Sequence, residues 1–153
     1  MTPRAATVRA ALVALATIAA DQAVKALVRS AIGLGERVDV VPGLHLVHVR
    51  NSGVAFGLFA GGGALLVAVA ALALVALLAF FVTHARRPLA WLPTGLLIGG
   101  AAGNLIDRLL DGAVTDFVKL PHWPAFNVAD MAITLGVLVL VYVLEGPPRR
   151  AVA

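Results

Sequence analysis

Ala64 to Val82 reads ALLVAVAALALVALLAFFV, and the fold turns on this stretch. It carries no polar side chain, and at about 1.5 Å of rise per residue a helix of this length crosses the ~30 Å hydrocarbon core of a bilayer. A helix apolar on every side needs a large protein core or lipid around it, and 153 residues supply no such core. The segment is therefore expected to be a transmembrane helix. Working outward, two further spans follow, roughly Leu89 to Leu109 and Phe126 to Leu144, and one precedes it, from about Val8 to Arg29. In each of these three the polar residues collect at one end. MTPRAATVRAALVALATIAAD, Met1 to Asp21, also resembles a secretory signal peptide, with Arg4 and Arg9 ahead of a short apolar run. The poor small-residue pattern before Asp21 and the three spans that follow favour an uncleaved first helix.

Composition agrees. Hydrophobic residues make up 61% of the chain against 13% charged, where a soluble domain sits near half and a quarter. The net charge of +4 does not indicate nucleic acid, because the arginines lie at segment ends rather than along one face. With no cysteine, disulfides, thiolate nucleophiles, thiolate metal sites and cysteine acylation are all excluded.

Basic clusters set the orientation. Arg4 and Arg9 precede the first span, HARRP (His84 to Pro88) joins the second and third, and Arg149 with Arg150 follow the fourth. All three belong in the cytoplasm, so both termini are inside, and the connections Ala31 to Gly63 and Leu110 to Ala125 face outward. Within the first of these, residues 36–60 hold β-branched runs broken at Pro42 and Gly43, which predicts two or three short strands with a turn. The expected fold is one domain over 1–153: an all-α membrane protein of four transmembrane helices with a small extracytoplasmic β-sheet on the outer surface. No internal repeat is visible.

On this topology the polar residues converge. Asp21 lies about 20 Å along the first span, and Lys25 is one turn further at the i, i+4 spacing that permits pairing. Asn104, Asp107 and Arg108 close the third span in GNLIDR, Asn127 and Asp130 open the fourth in FNVAD, and Asp116 in VTDF lies between them. Ionisable groups at membrane depth mark function or internal pairing. Asp21 with Lys25, and Asp107 with Arg108, can neutralise one another and lock helices together, or serve a site. Asp116 and Asp130 have no adjacent cation, since Lys119 is three residues from Asp116 in an extended segment and points to the opposite face. Asp130 also suits a helix cap or first turn.

Other chemistries fit less well. His45 and His48 face opposite sides of a strand, which makes them surface histidines rather than a metal pair. A serine nucleophile would have to be Ser30 or Ser52, with Lys25 as a conceivable base for Ser52.

Five ordered motifs now carry a resemblance that covers essentially the whole chain: DQAVK (Asp21 to Lys25), NSGVAFG (Asn51 to Gly57), GGAAGNLIDR (Gly99 to Arg108), VTDF (Val114 to Phe117) and FNVAD (Phe126 to Asp130). The chain resembles the lipoprotein signal peptidases, the bacterial type II signal peptidases. The resemblance implies a multi-pass aspartic endopeptidase of the bacterial cytoplasmic (inner) membrane, a hydrolase that removes signal peptides from prolipoproteins just before a diacylglyceryl-modified cysteine. It puts the catalytic pair on Asp116 and Asp130, near the extracytoplasmic face, and supporting or substrate-contacting roles on Asp21, Lys25, Asn51, Asn104, Arg108 and Asn127. Asp107 and Gly53 join that set by position, Asn51 offering amide hydrogen bonds to a peptide or lipid headgroup and Gly53 and Gly57 allowing close backbone approach. The expected partners are diacylglyceryl prolipoproteins and membrane lipids, with no nucleic acid, no metal and no cofactor, and the chain is expected to be a monomer.

Two carboxylates close together share a proton, so the ionised one can take a proton from water while the other donates to the scissile carbonyl. The rivals are an ion-coupled carrier, which would string acids through the membrane depth, and a non-enzymatic factor binding acylated proteins, which would be indifferent to Asp116.

Overall fold

The computed structural model describes residues 2–53, 63–84, 87 and 89–145. Seven elements follow in order: α1 (Pro3–Ala31), β1 (Arg37–Val41), β2 (Leu44–Asn51), α2 (Gly63–His84), α3 (Trp91–Asp111), β3 (Val114–Lys119) and α4 (Val128–Glu145). Helix α1 starts where Thr2 Oγ1 accepts from the Ala5 N–H and Pro3 supplies a pre-set φ, and it stops as the Ile32 N–H closes on the Val28 carbonyl. Helix α3 ends at Gly112, whose φ of 72° is the left-handed cap that a glycine adopts without strain. Helix α1 runs past both ends of the span expected at 8–29, and α3 begins and ends two residues later than the span expected at 89–109, because capping groups rather than hydropathy decide where a helix stops.

Helices α1 and α4 are long and apolar enough to cross a membrane, and α2 carries an apolar stretch over Val67–Phe80. Burial is inverted relative to a water-soluble protein. Leu12, Leu15 and Leu27 of α1 and Leu138 of α4 are exposed, whereas Asp21, Lys25 and Asn127 are completely buried. Polar groups that turn inward while leucines turn outward suit a chain whose surroundings are hydrocarbon.

Helix α3 is the hub, packed on α1, α2, α4 and β3. Gly95, Gly99 and Gly103 recur every fourth residue and let α3 approach α1 at Ala10, Ala14, Thr17 and Asp21. A Cβ at Gly99 would lie 2.7 Å from Thr17 Cβ and 2.8 Å from the Ala14 carbonyl oxygen.

The sheet is antiparallel in the order β1-β2-β3. The segment 36–60 does contain two strands joined at Pro42–Gly43, and the third strand is Val114–Lys119, the extended segment around Asp116 in the second outward connection. Six residues after a helix carry little periodicity of their own, and β3 is defined by pairing with β2, Val49 opposite Asp116 and Arg50 opposite Thr115. Residues 54–60 of that segment, including Gly57, lie outside the described residues. Phe117 of β3 packs with Val28 and Ile32, seating the sheet on the end of α1.

Gly99→Leu is expected to force α1 and α3 apart and cost about 1–3 kcal/mol. The thermal midpoint in detergent should fall well below that of wild type, while Leu12→Ala, on the exposed face, should leave it nearly unchanged.

Candidate active site

The polar side chains gather at the sheet end of the bundle around one buried ammonium. Lys25 Nζ lies 2.7 Å from Asp21 Oδ2 and 3.0 Å from Asp107 Oδ2, with all three side chains essentially inaccessible. The i, i+4 pairing of Asp21 with Lys25 is as the spacing suggests. Asp107 does not pair with Arg108, however, because adjacent residues of a helix project about 100° apart, and Asp107 turns inward to Lys25. Gln22 Nε2 donates to Asp107 Oδ1 and Asp21 Oδ2, further satisfying the two acids.

Each acid also grips a neighbouring element. Asp21 Oδ1 accepts from the Ala129 N–H in the first turn of α4, and Asp107 Oδ2 accepts from the Thr115 N–H in β3. The residues so held stand directly before Asp130 and Asp116.

Three asparagines connect the cluster to these two aspartates. Asn104 Oδ1 faces Lys25 Nζ at 3.1 Å. An ammonium only donates, so the amide nitrogen of Asn104 must face the other way, where it lies 2.8 Å from Asp130 Oδ1. Asn51 Oδ1 accepts from the Gly53 N–H, which directs its nitrogen to Asp116 Oδ2 at 2.9 Å. Asn127 Oδ1 accepts from the Asp130 N–H while Asp130 Oδ2 accepts from the Asn127 N–H, a reciprocal cap at the start of α4. The Asn127 nitrogen then reaches Asp116 Oδ1 at 2.7 Å and Asn104 Oδ1 at 3.0 Å. Asn127 thereby bonds both aspartates.

The Asn51 amide, expected to offer hydrogen bonds to a peptide or lipid headgroup, gives one of them to Asp116. Arg108 donates to the carbonyls of Asn104 and Gly53, and its Nε is buried with no hydrogen-bond partner among the described residues. Lys119 points away from Asp116, as strand alternation requires, and bonds the Trp123 carbonyl.

Asp116 and Asp130 line a common cavity of about 500 Å³ whose walls are mostly apolar, among them Trp123, Phe126, Met131, Leu135 and Leu138. Burial pushes the Asp116 carboxyl up to about 6, the charge of Asp130 adding to the rise and the amides of Asn51 and Asn127 opposing it. Two carboxyls on one apolar cavity, one of them pushed up to about 6 by burial, have the chemistry of a general acid–base pair.

The alternatives lose ground. Lys25 is enclosed by Asp21, Asp107 and Asn104, leaving no free base for a serine, and Ser30 bonds the Leu27 carbonyl. His45 is tied to Asp39 and Arg37, and His48, expected at the surface, is buried with Nδ1 on the Ile32 carbonyl, because β2 folds back over the end of α1. Asp21, Asp107, Asp116 and Asp130 group at one level rather than along the membrane depth, against the carrier reading.

Two solved structures described as "Bacterial membrane enzyme structure by the in meso method", at 2.3 and 1.9 Å resolution, are similar to this chain with TM-scores of 0.83 and 0.80. They share 30% and 32% identity with it, covering 94% and 88% of this chain and 92% and 91% of theirs. Residues 13–144 match the family described as signal peptidase (SPase) II. Lipoprotein signal peptidases of Moorella thermoacetica and Serratia marcescens are 44% and 41% identical, over 89% and 80% of this chain and 92% and 76% of theirs. The chain belongs to the signal peptidase II family, a family of membrane-bound proteases.

Lys25→Met should leave two buried carboxylates without their counter-ion and cost about 3–5 kcal/mol. Arg29→Met, which removes a partly exposed ion pair at 3.9 Å, should cost less than about 1 kcal/mol. Thermal unfolding of both variants in detergent checks the contrast.

Proposed function

We propose that this protein is a membrane-embedded aspartic endopeptidase that removes the signal peptide from diacylglyceryl-modified prolipoproteins, cutting before the lipidated cysteine. Asp116 and Asp130 form the catalytic pair. The observation that carries this reading is the single amide of Asn127, which bonds Asp116 while its backbone and carbonyl oxygen hold Asp130, so that two carboxyls from separate elements meet on one cavity.

Asp116, lifted to about 6, holds the shared proton and donates it to the scissile carbonyl oxygen; Asp130 takes a proton from the attacking water. The tetrahedral intermediate collapses as the leaving nitrogen is protonated. Asn51, Asn104 and Asn127 orient the pair, Lys25 with Asp21 and Asp107 fixes the asparagine and backbone positions, and Gly53 and Arg108 border the site. The apolar wall from Trp123 to Leu138 suits acyl chains or the apolar part of a signal peptide. The reading has one domain over 1–153 acting as a monomer, with four helices crossing the bacterial inner membrane, both termini cytoplasmic and the site near the outer face.

Three outcomes test it. Asp116→Asn and Asp130→Asn should each abolish cleavage of a diacylated prolipoprotein while still retaining it in detergent pull-down, since acyl chains contribute roughly 0.8 kcal/mol per buried methylene whatever the carboxyls do. Retained cleavage by either variant would falsify the aspartic mechanism. A cysteine placed at Asp111 should react with an impermeant reagent added outside intact cells, and one at Arg4 should not; the reverse pattern inverts the topology.

The pH profile is the third. A protonated Asp116 is present below its pKa and lost as pH rises through about 6, so kcat/KM should fall on the alkaline side. The Asn51 amide favours the ionised carboxylate, so Asn51→Ala should raise that pKa and carry the alkaline limb to higher pH. An unmoved limb, or one moved to lower pH, would reject Asp116 as the proton holder.

A further inference from the structure

The sheet has two working faces. Asn51 and Asp116 point to the candidate active site, while the alternate residues His48 and Arg50 of β2 and Thr115 of β3 line a separate cavity of about 200 Å³. Arg29 from the last turn of α1, Leu34 from the following loop and Asp111 from the end of α3 complete it. Of the residues of this cavity, Thr115 meets the aspartate network through its main chain, while its side chain faces the cavity.

Its charge is positive. Arg29 Nη1 donates to Thr115 Oγ1 at 3.2 Å and lies 3.9 Å from the Asp111 carboxylate, and Arg50 Nη2 donates to the Asp111 main-chain carbonyl. Two guanidiniums thus face one carboxylate that is itself half exposed. A guanidinium carries five N–H donors in a planar fork, and the described bonds use one nitrogen of each arginine. Thr115, 3% exposed, and His48, fixed through Nδ1–H on the Ile32 carbonyl, make a rigid floor. Paired guanidiniums on such a floor match the tetrahedral oxygens of a phosphate group.

The rim is apolar. Leu34 lines the cavity and is 65% exposed, and Leu110, the residue before Asp111, is 78% exposed. A phosphate bound between the arginines would have leucines beside it for hydrocarbon to lie against.

We propose that this cavity binds the anionic phosphodiester headgroup of a membrane lipid, with the acyl chains running past Leu34 and Leu110. The inference rests on the membrane placement of α1 given above, which sets Arg29 at the headgroup level of the outer leaflet. It does not depend on peptide cleavage, and its readout is binding alone, so failure of one leaves the other standing.

The test uses full-length protein in a non-ionic detergent, titrated with short-chain phosphatidylglycerol, with its deacylated headgroup glycerophosphoglycerol, and with inorganic phosphate, followed by phosphorus NMR line broadening. Arg29→Gln combined with Arg50→Gln should weaken lipid binding by roughly tenfold or more, the loss expected when charge-assisted hydrogen bonds are removed. Arg37→Gln removes one positive charge from the exposed hairpin and should have no effect. Leu34→Glu sets an anion at the mouth without touching either arginine and should reproduce the loss in a protein with an undisturbed floor. Unchanged affinity in the double variant and in Leu34→Glu overturns the site, and so does an equal loss in Arg37→Gln, which would mean general surface charge. Glycerophosphoglycerol or inorganic phosphate binding as tightly as the lipid would overturn the lipid assignment and leave a free-phosphate site.

Discussion

The ammonium of Lys25 is the constraint on which the rest of the structure depends. A buried cation is stable only with its charge balanced and its protons bonded, and here Asp21, Asp107 and Asn104 supply both. Each partner belongs to a different helix position and has a second obligation. Asp21 secures α4 at Ala129, Asp107 secures β3 at Thr115, and Asn104 secures Asp130. One charge-satisfaction problem, solved inside the bundle, therefore fixes the two segments that carry the aspartates. The cluster also explains the glycines of α3, since a side chain at Gly103 would meet Asp21 Oδ2 at 2.7 Å.

The same logic orients the amides. An asparagine has a donor end and an acceptor end, and its direction is ambiguous until one end is committed. In Asn104, Asn51 and Asn127 the oxygen end is committed to a donor: the Lys25 ammonium, the Gly53 N–H and the Asp130 N–H. The nitrogen ends are thereby aimed at carboxylates. Such an arrangement is preorganised in the sense that matters for proton chemistry, because the dipoles already point at the charge they must accommodate.

How much of this could be read from the sequence depended on how local each interaction is. The four helical segments, the turn at Pro42–Gly43 and the Asp21–Lys25 pair were legible because apolar length, turn residues and i, i+4 spacing act within one segment. A capping or first-turn place for Asp130 was visible for the same reason. By contrast, Asp107 meets Lys25 across 82 positions and Asn51 meets Asp116 across 65, and nothing in either neighbourhood announces the partner. Around Asp116 only an extended segment was legible, since its six residues join the sheet by pairing with β2, and His48 was misjudged because burial on α1 is a tertiary event. Family motifs located Asp116 and Asp130 without saying what holds them.

The two aspartates end up held in different ways. Asp130 is locked through its own backbone as well as its side chain, since the cap with Asn127 joins its N–H, its carboxylate and the first turn of α4. Asp116 sits on β3, paired with Val49 at the edge of the sheet, and among the described residues its two carboxylate oxygens are held by the amides of Asn51 and Asn127. A carboxylate offers about four lone-pair sites, so two donors each leave both groups with capacity to accept or share a proton on the cavity side. Full satisfaction by protein donors would have frozen both as ionised anions, whereas no donors would have left them neutral and loosely placed. Two bonds each are enough to fix position while leaving lone pairs open toward the cavity.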